Sequence, residues 1–579
     1  MKLLLLFVIC SLPSLGLAVD REALTFTNYD LDVRVEPEQQ RLGVRGRITL
    51  RNDSANPQKD IALQISSTLD WRSIQIAGKT AQFVTHEYTS DIDHTGALSE
   101  AIVTLPREVP PQGTVELDIG YEGVIPLDVT RLTRIGVPEE RAEHSDWDRI
   151  GKSFTAVRGI GYVVWYPVAT ESASLSEANS VFDTVGRWRT RGLGSNVRIN
   201  LCFSANWSAS LPVVVMNNPE RQGIAGGSSG GRTGGDVTAC EEHVYSPLDQ
   251  AAPLFLGANY SKLDRPAISF RYLPEHKSGV ETYALAADLA VPLVTDWFGP
   301  PKANAQVIDL PDPDALPFES GTMLLTPLVS DDSRSYQLAV VHQLTHAAFP
   351  SSRSWIYEGL AHLAQALQRE QQNGRQSGLD FMGLHRTAIV DAEKAMTAAH
   401  NQTEAARESL INTSTEEFYR SKAMYVWWML RDMIGDAALK KALATYHPDQ
   451  DKESSYVQHL IEAQTHRDLA WFFDDWVYRD RGLPDFRVES AYPRATADGA
   501  YVVTVTIENL GDAGAEVPVT LRMANGEVTK RLEVHAKSKT SIRIEASSTP
   551  QEVVVNDGSV PEGGLSNNVF KIPPPDAAK

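Results

Sequence analysis

The chain has 579 residues, of which 42% are hydrophobic and 22% charged, an ordinary globular balance with material for a large core. At roughly 150 residues per domain it holds three or four domains. Its formal net charge of −20 argues against nucleic acid and against an anionic membrane surface, since both reward clustered Lys and Arg.

Lys2, the apolar run over residues 3–12, Pro13 and then Gly16-Leu17-Ala18 form the pattern of a secretory signal peptide, with cleavage expected after Ala18. The run is too short to span a bilayer, and no other segment is apolar enough to do so. Residues 1–18 are therefore expected to be removed, leaving a secreted or periplasmic protein without a membrane span. Export puts Cys202 and Cys240 in an oxidising compartment, where they are expected to pair around the Gly/Ser-rich stretch 223–235. Two buried free thiols are the alternative.

Residues 24–125 alternate apolar and polar. Tyr29, Leu31, Val33 and Val35 share one face, and Val44, Gly46, Ile48 and Leu50 repeat the pattern, which is the period of half-buried strands. Strand-like runs recur over 159–168, 196–203 and 267–273, so residues 19–275 read as an N-terminal β domain. From 280 to 298 the apolar spacing becomes helical, through Leu285, Leu289, Leu293 and Trp297, and Gly299-Pro300-Pro301 ends it. A short strand is predicted over 307–310. Helical patterning then dominates 335–478, strongest over 335–349, 355–370, 418–433 and 468–480, giving a central domain over 276–484. Beyond Pro484 the alternation returns (Tyr501, Val503, Val505, Ile507, then Val517, Val519, Leu521), predicting a β-sandwich over 485–570. The proline-rich residues 571–579 are expected to be a disordered tail.

The chemistry concentrates in residues 341–363, VHQLTHAAFPSSRSWIYEGLAHL. His342 and His346 are four apart, so on a helix both imidazoles stack on one face and can address one ion. Zinc favours two neutral imidazole nitrogens and a carboxylate, with a fourth position open for water. The pair alone is not specific. Glu358, in the next helical segment, is the candidate third ligand, and His362 one turn later is the alternative. Trp427, Trp428, Phe472, Phe473 and Trp476 sit at helical contact spacing and read as core. The sequence carries no phosphate loop, Ser-His-Asp arrangement or Cys-x-x-Cys.

These residues resemble the aminopeptidase N family of zinc gluzincins. Its H-E-x-x-H motif is matched by His342-Gln343-Leu344-Thr345-His346, and its N-E-G-F-A by Tyr357-Glu358-Gly359-Leu360-Ala361. Trp297-Phe298-Gly299-Pro300, residues 307–311, residues 422–435 and residues 468–488 are similar to the family's flanking segments, and residues 29–46 to the opening strands of its N-terminal saddle. The resemblance implies a multi-domain α+β protein: a β-rich saddle-like domain, a mainly helical thermolysin-like domain and a C-terminal β-sandwich. It implies zinc held by His342, His346 and Glu358, and hydrolysis of a peptide or protein substrate through a zinc-bound water.

The departures bear on activity. Gln343 replaces the glutamate that takes the proton from that water, a role worth about 10²–10⁴ in rate. A glutamine amide positions water but accepts no proton near neutral pH, so weak hydrolysis is expected unless Glu319, on the adjoining strand, serves as base. The amine-binding G-x-M-E-N is Gly321-Thr322-Met323-Leu324-Leu325, which leaves only strand pairing to hold an extended peptide. The spacing from His346 to Glu358 is shorter than the family's. In place of the Tyr-x-Lys tyrosine stands Arg420, with Tyr419 one residue earlier as the candidate oxyanion donor and Tyr425 a weaker one. A non-catalytic peptide- or protein-binding module on the same scaffold is the competing expectation, and a scaffold that has lost its metal is a third. The oligomeric state is not legible in the sequence.

Overall fold

A computed structural model of the protein describes residues 19–177, 180–205, 213–217, 237–249, 251–403, 408–497 and 499–573. The expected signal peptide lies outside the described residues. No helix among them is long and apolar enough to cross a membrane.

The N-terminal alternation builds what its period demands. In the strand Leu24–Glu36, Tyr29, Leu31, Val33 and Val35 are buried while Asp30, Asp32 and Arg34 face out. This strand runs antiparallel to Arg41–Asn52 and parallel to Asn196–Ala205 at the centre of a seven-stranded sheet. Next to it lies a three-stranded sheet of Gln58–Ser66, Ala97–Val109 and Gln82–Thr89, and the two enclose one core. Cys202 and Cys240 stand opposite each other on the paired strands Asn196–Ala205 and Val237–Tyr245, joined as a disulfide.

Two segments of this half differ from the expectation. Residues 159–168 form a turn-rich plug, not a strand, tied to the sheet by the bridge between Gln64 and Val168 and by the Ser66 amide, which donates to the Val164 carbonyl at 2.7 Å. Gly159 and Gly161 both have φ of +95°, and the Tyr162 and Val163 amides both donate to the Gly159 carbonyl, which curls the chain. Its apolar residues, Val163, Val164 and Trp165 among them, are fully buried in the core of the two sheets. The second is a helix, Ser180–Gly192, inside the region read as β throughout.

The central domain is built on a five-stranded sheet in the order Ser261–Asp264, Ile268–Tyr272, Ala305–Asp309, Met323–Thr326, Phe318–Ser320. Two of its strands precede residue 275, because Ile268–Tyr272 pairs in parallel with Ala305–Asp309 across the helix Lys277–Phe298. That helix buries Val280, Tyr283, Ala284, Ala287 and Val294, whereas Leu285 and Leu289 are exposed. Small alanines share its core face with Leu293 and Trp297, the later half of the i, i+4 series.

The helices Ser333–Ala348 and Ser354–Asn373 follow, joined by a short turn. The turn is pinned from outside: Ser351 Oγ lies 2.9 Å from Tyr446 Oη, and Arg353 Nε donates to Asp451 at 2.7 Å. Arg375–Thr403 packs on the second helix, and a π-helical turn, Glu417–Lys422, leads into Ala423–Ile434. The C-terminal region forms two antiparallel sheets of three and four strands whose inner faces, Val503, Val505 and Ile507 against Val517, Val519 and Leu521, share the apolar core of the central helices. Residues 571 and 572, expected in the tail, are hydrogen-bonded to the sheet. Val569–Lys571 pairs with Pro550–Val555, and the Ile572 amide donates to the Gln551 carbonyl, while residues 574–579 lie outside the described residues.

Candidate metal centre

His342 and His346 lie one turn apart on Ser333–Ala348, a helix started by Asp332, whose side chain accepts from the Arg334 amide. Their Nε2 atoms converge to 3.0 Å, and both rings are buried. Glu358 arrives from the next helix, its two oxygens 3.6 Å from His342 Nε2 and 3.7 Å from His346 Nε2. The pinned turn thus brings the carboxylate to the pair despite the short spacing. Glu319, on the edge strand Phe318–Ser320, comes closer still, at 3.1 Å from His342 Nε2 and 3.3 Å from His346 Nε2.

Four groups rich in lone pairs therefore crowd one point. The Oε1 of Glu319 is buried without a hydrogen-bond partner among the described residues, as are the Nδ1 atoms of both histidines. Two imidazole nitrogens with carboxylates are the ligand set that suits zinc. Donor atoms about 2.0–2.1 Å from a tetrahedral ion stand roughly 3.3–3.4 Å from one another. Glu319, His342 and His346 offer one donor atom each within 4.8 Å of one another, and so do His342, Glu358 and His362, so the residues present fit a metal ion.

Ring packing, more than hydrogen bonding, sets the imidazole orientations. Tyr357 stacks on His346 at 3.7 Å between centroids, and His362 meets His342 edge-on at 5.0 Å. His362 is near enough to group with His342 and Glu358 as an alternative ligand set, and neither of its ring nitrogens has a hydrogen-bond partner among the described residues. Burial pushes the His346 and His362 imidazoles well toward the neutral form that a metal requires. For His342 burial acts in the same direction, but the adjacent Glu319 carboxylate outweighs it and raises the pKa. Burial would raise Glu319, and the two histidines reverse this and hold it below the usual carboxylate range.

The remaining expected residues fall in different places. Tyr419, on the π-helical turn, lines the cleft above the carboxylates, and burial pushes its phenol upward. Tyr425 is buried in the helical core and does not line the cleft. Gln343, adjacent to His342, is almost fully buried, neither amide atom has a partner among the described residues, and it does not line the cleft. Met323–Thr326 is flanked by strands on both sides, so it offers no edge to a peptide; the open edge is Phe318–Ser320.

Two contributions were not foreseen. Arg420, noted only as the residue in the tyrosine position, donates through Nε to Glu358 Oε2 at 2.9 Å and pairs with Glu416. The helix Ser180–Gly192 forms one wall of the cleft through Phe182, Val185 and Arg189. Its apolar stripe of Val181, Val185 and Trp188 was the available signal, in a region dominated by strands. The cleft encloses about 550 Å³, with Glu319, Glu358, Tyr357, Tyr419 and Arg420 toward its floor and the two histidines behind the carboxylates.

No protein-family model matches the chain, and no curated protein matches it in sequence. Among solved structures it is similar to Legionella pneumophila aminopeptidase A in complex with aspartic acid, with a TM-score of 0.57 at 14% identity. That match covers 93% of this chain and 59% of the other. It is also similar to an M1 zinc metallopeptidase from Deinococcus radiodurans, at 16% identity and a TM-score of 0.45 over 80% of this chain and 96% of that one. A mutant of the latter, bound to a Tyr-Ser-Ala substrate, matches to the same extent. The chain has a mixed α+β, multi-domain fold similar to that of the Legionella aminopeptidase.

Proposed function

We propose that this protein is an exported, zinc-binding homologue of the aminopeptidase-type metallopeptidases, which takes a peptide or protein segment into its cleft and hydrolyses it weakly. The observation that carries this reading is the convergence of His342 and His346 Nε2, 3.0 Å apart, with two carboxylates at the floor of a cleft of about 550 Å³. His342, His346 and Glu358 would hold the metal, which when bound supplies Lewis acidity toward a carbonyl. The unpaired edge of Phe318–Ser320 would receive an extended backbone by strand addition. Tyr419 would donate to the developing oxyanion. Gln343 accepts no proton, so the step that needs a base is the weak one.

A second reading, binding without cleavage, draws support from the same floor. Arg420 ties up one oxygen of Glu358, and no glutamate stands beside His342 in the helix. Metal analysis of the purified chain and turnover of a peptide library with and without chelator separate the readings. Zinc near one equivalent, lost in His346→Ala, with slow chelator-sensitive cleavage is expected. Zinc with binding but no cleavage selects the non-catalytic module, and zinc near zero refutes both.

A further inference from the structure

We infer that Arg189 receives a carboxylate of the bound peptide and so fixes which way the peptide lies in the cleft. This rests on the peptide-cleft reading above and names the class of ligand the cleft favours, short peptides that carry a carboxylate to the wall formed by the helix Ser180–Gly192.

Four arginines line the cleft: Arg131, Arg158, Arg189 and Arg420. Three are already neutralised. Arg131 donates from Nε and Nη2 to the two oxygens of Asp146, at 2.7 and 2.6 Å. Arg158 Nε donates to Asp148 at 2.7 Å. Arg420 is paired with Glu358 and Glu416. Arg189 has neither a hydrogen bond nor a carboxylate partner among the described residues, and its Nε is buried without an acceptor. A guanidinium held partly out of water with its donors unclaimed suits a planar anion, above all a carboxylate.

The helix sets where that cation stands. Phe182, Val185, Gly186 and Arg189 line the cleft at the i, i+3, i+4, i+7 spacing of one helical face. Gly186 lets this face come close, because a Cβ there would lie 2.6 Å from the Ser414 carbonyl oxygen. The segment after Ser414 carries Glu416, Tyr419 and Arg420, so the helix is seated beside the turn that borders the metal centre. Burial raises the Tyr419 phenol, and Arg189 is one of two cations that oppose it.

The charges divide the cleft. Its floor is acidic through Glu319 and Glu358, whereas the helix wall is cationic through Arg189. A ligand carboxylate is repelled by the first and drawn to the second. At about 550 Å³ the cleft has the size of a small-ligand pocket, and it takes a peptide of a few residues whole. The C-terminal carboxylate of such a peptide then lies within the cleft, and an acidic side chain offers the same group.

The test is calorimetric titration of the full mature chain, in the presence of zinc, with Ala-Ala-Phe, its C-terminal amide and Ala-Glu-Phe amide. The wild type is expected to bind a carboxylate-bearing peptide roughly 10- to 100-fold more tightly than Ala-Ala-Phe amide. Preference for the free acid identifies the C-terminus as the source of the carboxylate, and preference for Ala-Glu-Phe amide identifies the side chain. Arg189→Gln is expected to remove the preference at unchanged zinc content, and Arg189→Lys to keep part of it. Equal affinity of the wild type for all three peptides, or a preference undiminished in Arg189→Gln, overturns the inference and leaves the peptide-binding reading standing. Failure of the wild type to bind any of the three overturns that reading, and the inference with it.

Discussion

Gln343 is the residue at which sequence and structure make the sharpest joint demand. The helical spacing of His342 and His346 was legible because i and i+4 share a face, and Glu358 because its segment restarts a helix. The contact of Arg420 with Glu358, 62 positions apart, was not legible, since no local period encodes it. A glutamate at 343 would restore the base that the glutamine amide cannot supply. Gln343→Glu is therefore expected to raise kcat/KM for a chromogenic peptide by roughly 10²–10⁴ in zinc-loaded protein. No gain in a variant that holds zinc would show that the missing base does not limit turnover.

The helices that carry His342, His346 and Glu358 were legible from their period, whereas the strand-like run over 159–168 forms a plug and the stretch 468–480 holds only a short helix, Ala470–Phe473, and a π-helical turn, Asp474–Tyr478. The helix over 354–373 followed from its stripe of apolar residues, but the core face of Lys277–Phe298 runs along alanines that carry little hydrophobic signal. The π-helical turn Glu417–Lys422 has no sequence period of its own; its cause is tertiary. Lys422 is fully buried, with its ammonium paired to Glu393 on Arg375–Thr403 and to Asp480 beyond the last central helix. Burial disfavours the charge on Lys422, and the two carboxylates overcome this and raise its pKa. That three-way pairing fixes the turn carrying Tyr419 and Arg420. Lys422→Met leaves two carboxylates buried without their cation, and breaking such a cluster costs roughly 3–5 kcal/mol. Urea unfolding followed by tryptophan fluorescence is expected to show that loss. A variant as stable as wild type would mean the turn is held by its apolar contacts alone.

For the whole molecule, the sequence suggested independent domains, and the packing joins two of them. The central helices and both C-terminal sheets contribute to one continuous apolar core, whereas the seven-stranded N-terminal sheet encloses another, and a smaller third core joins Phe154 and Leu256 to Ile308 and Leu325 of the central sheet. Trp476 Nε1 donates to the Gly514 carbonyl at 2.7 Å, and the Gly514 amide donates back to Asp475 at 2.9 Å. Arg467 reaches Glu516 at 2.7 Å, and Arg531 reaches Asp432 at 3.2 Å. Contacts this dense make the central and C-terminal regions one cooperative unit, because neither can unfold without exposing the other's buried aromatics. A chain ending at residue 484 is accordingly expected to aggregate on expression. Calorimetry of the intact chain should resolve two transitions, one for the N-terminal sheets and one for the joined remainder. On the proposed metal-binding reading, zinc at 100 times its dissociation constant should stabilise the second transition by about 2.7 kcal/mol. A soluble, folded fragment ending at 484, or three separable transitions, would show that the shared core does not couple the two regions.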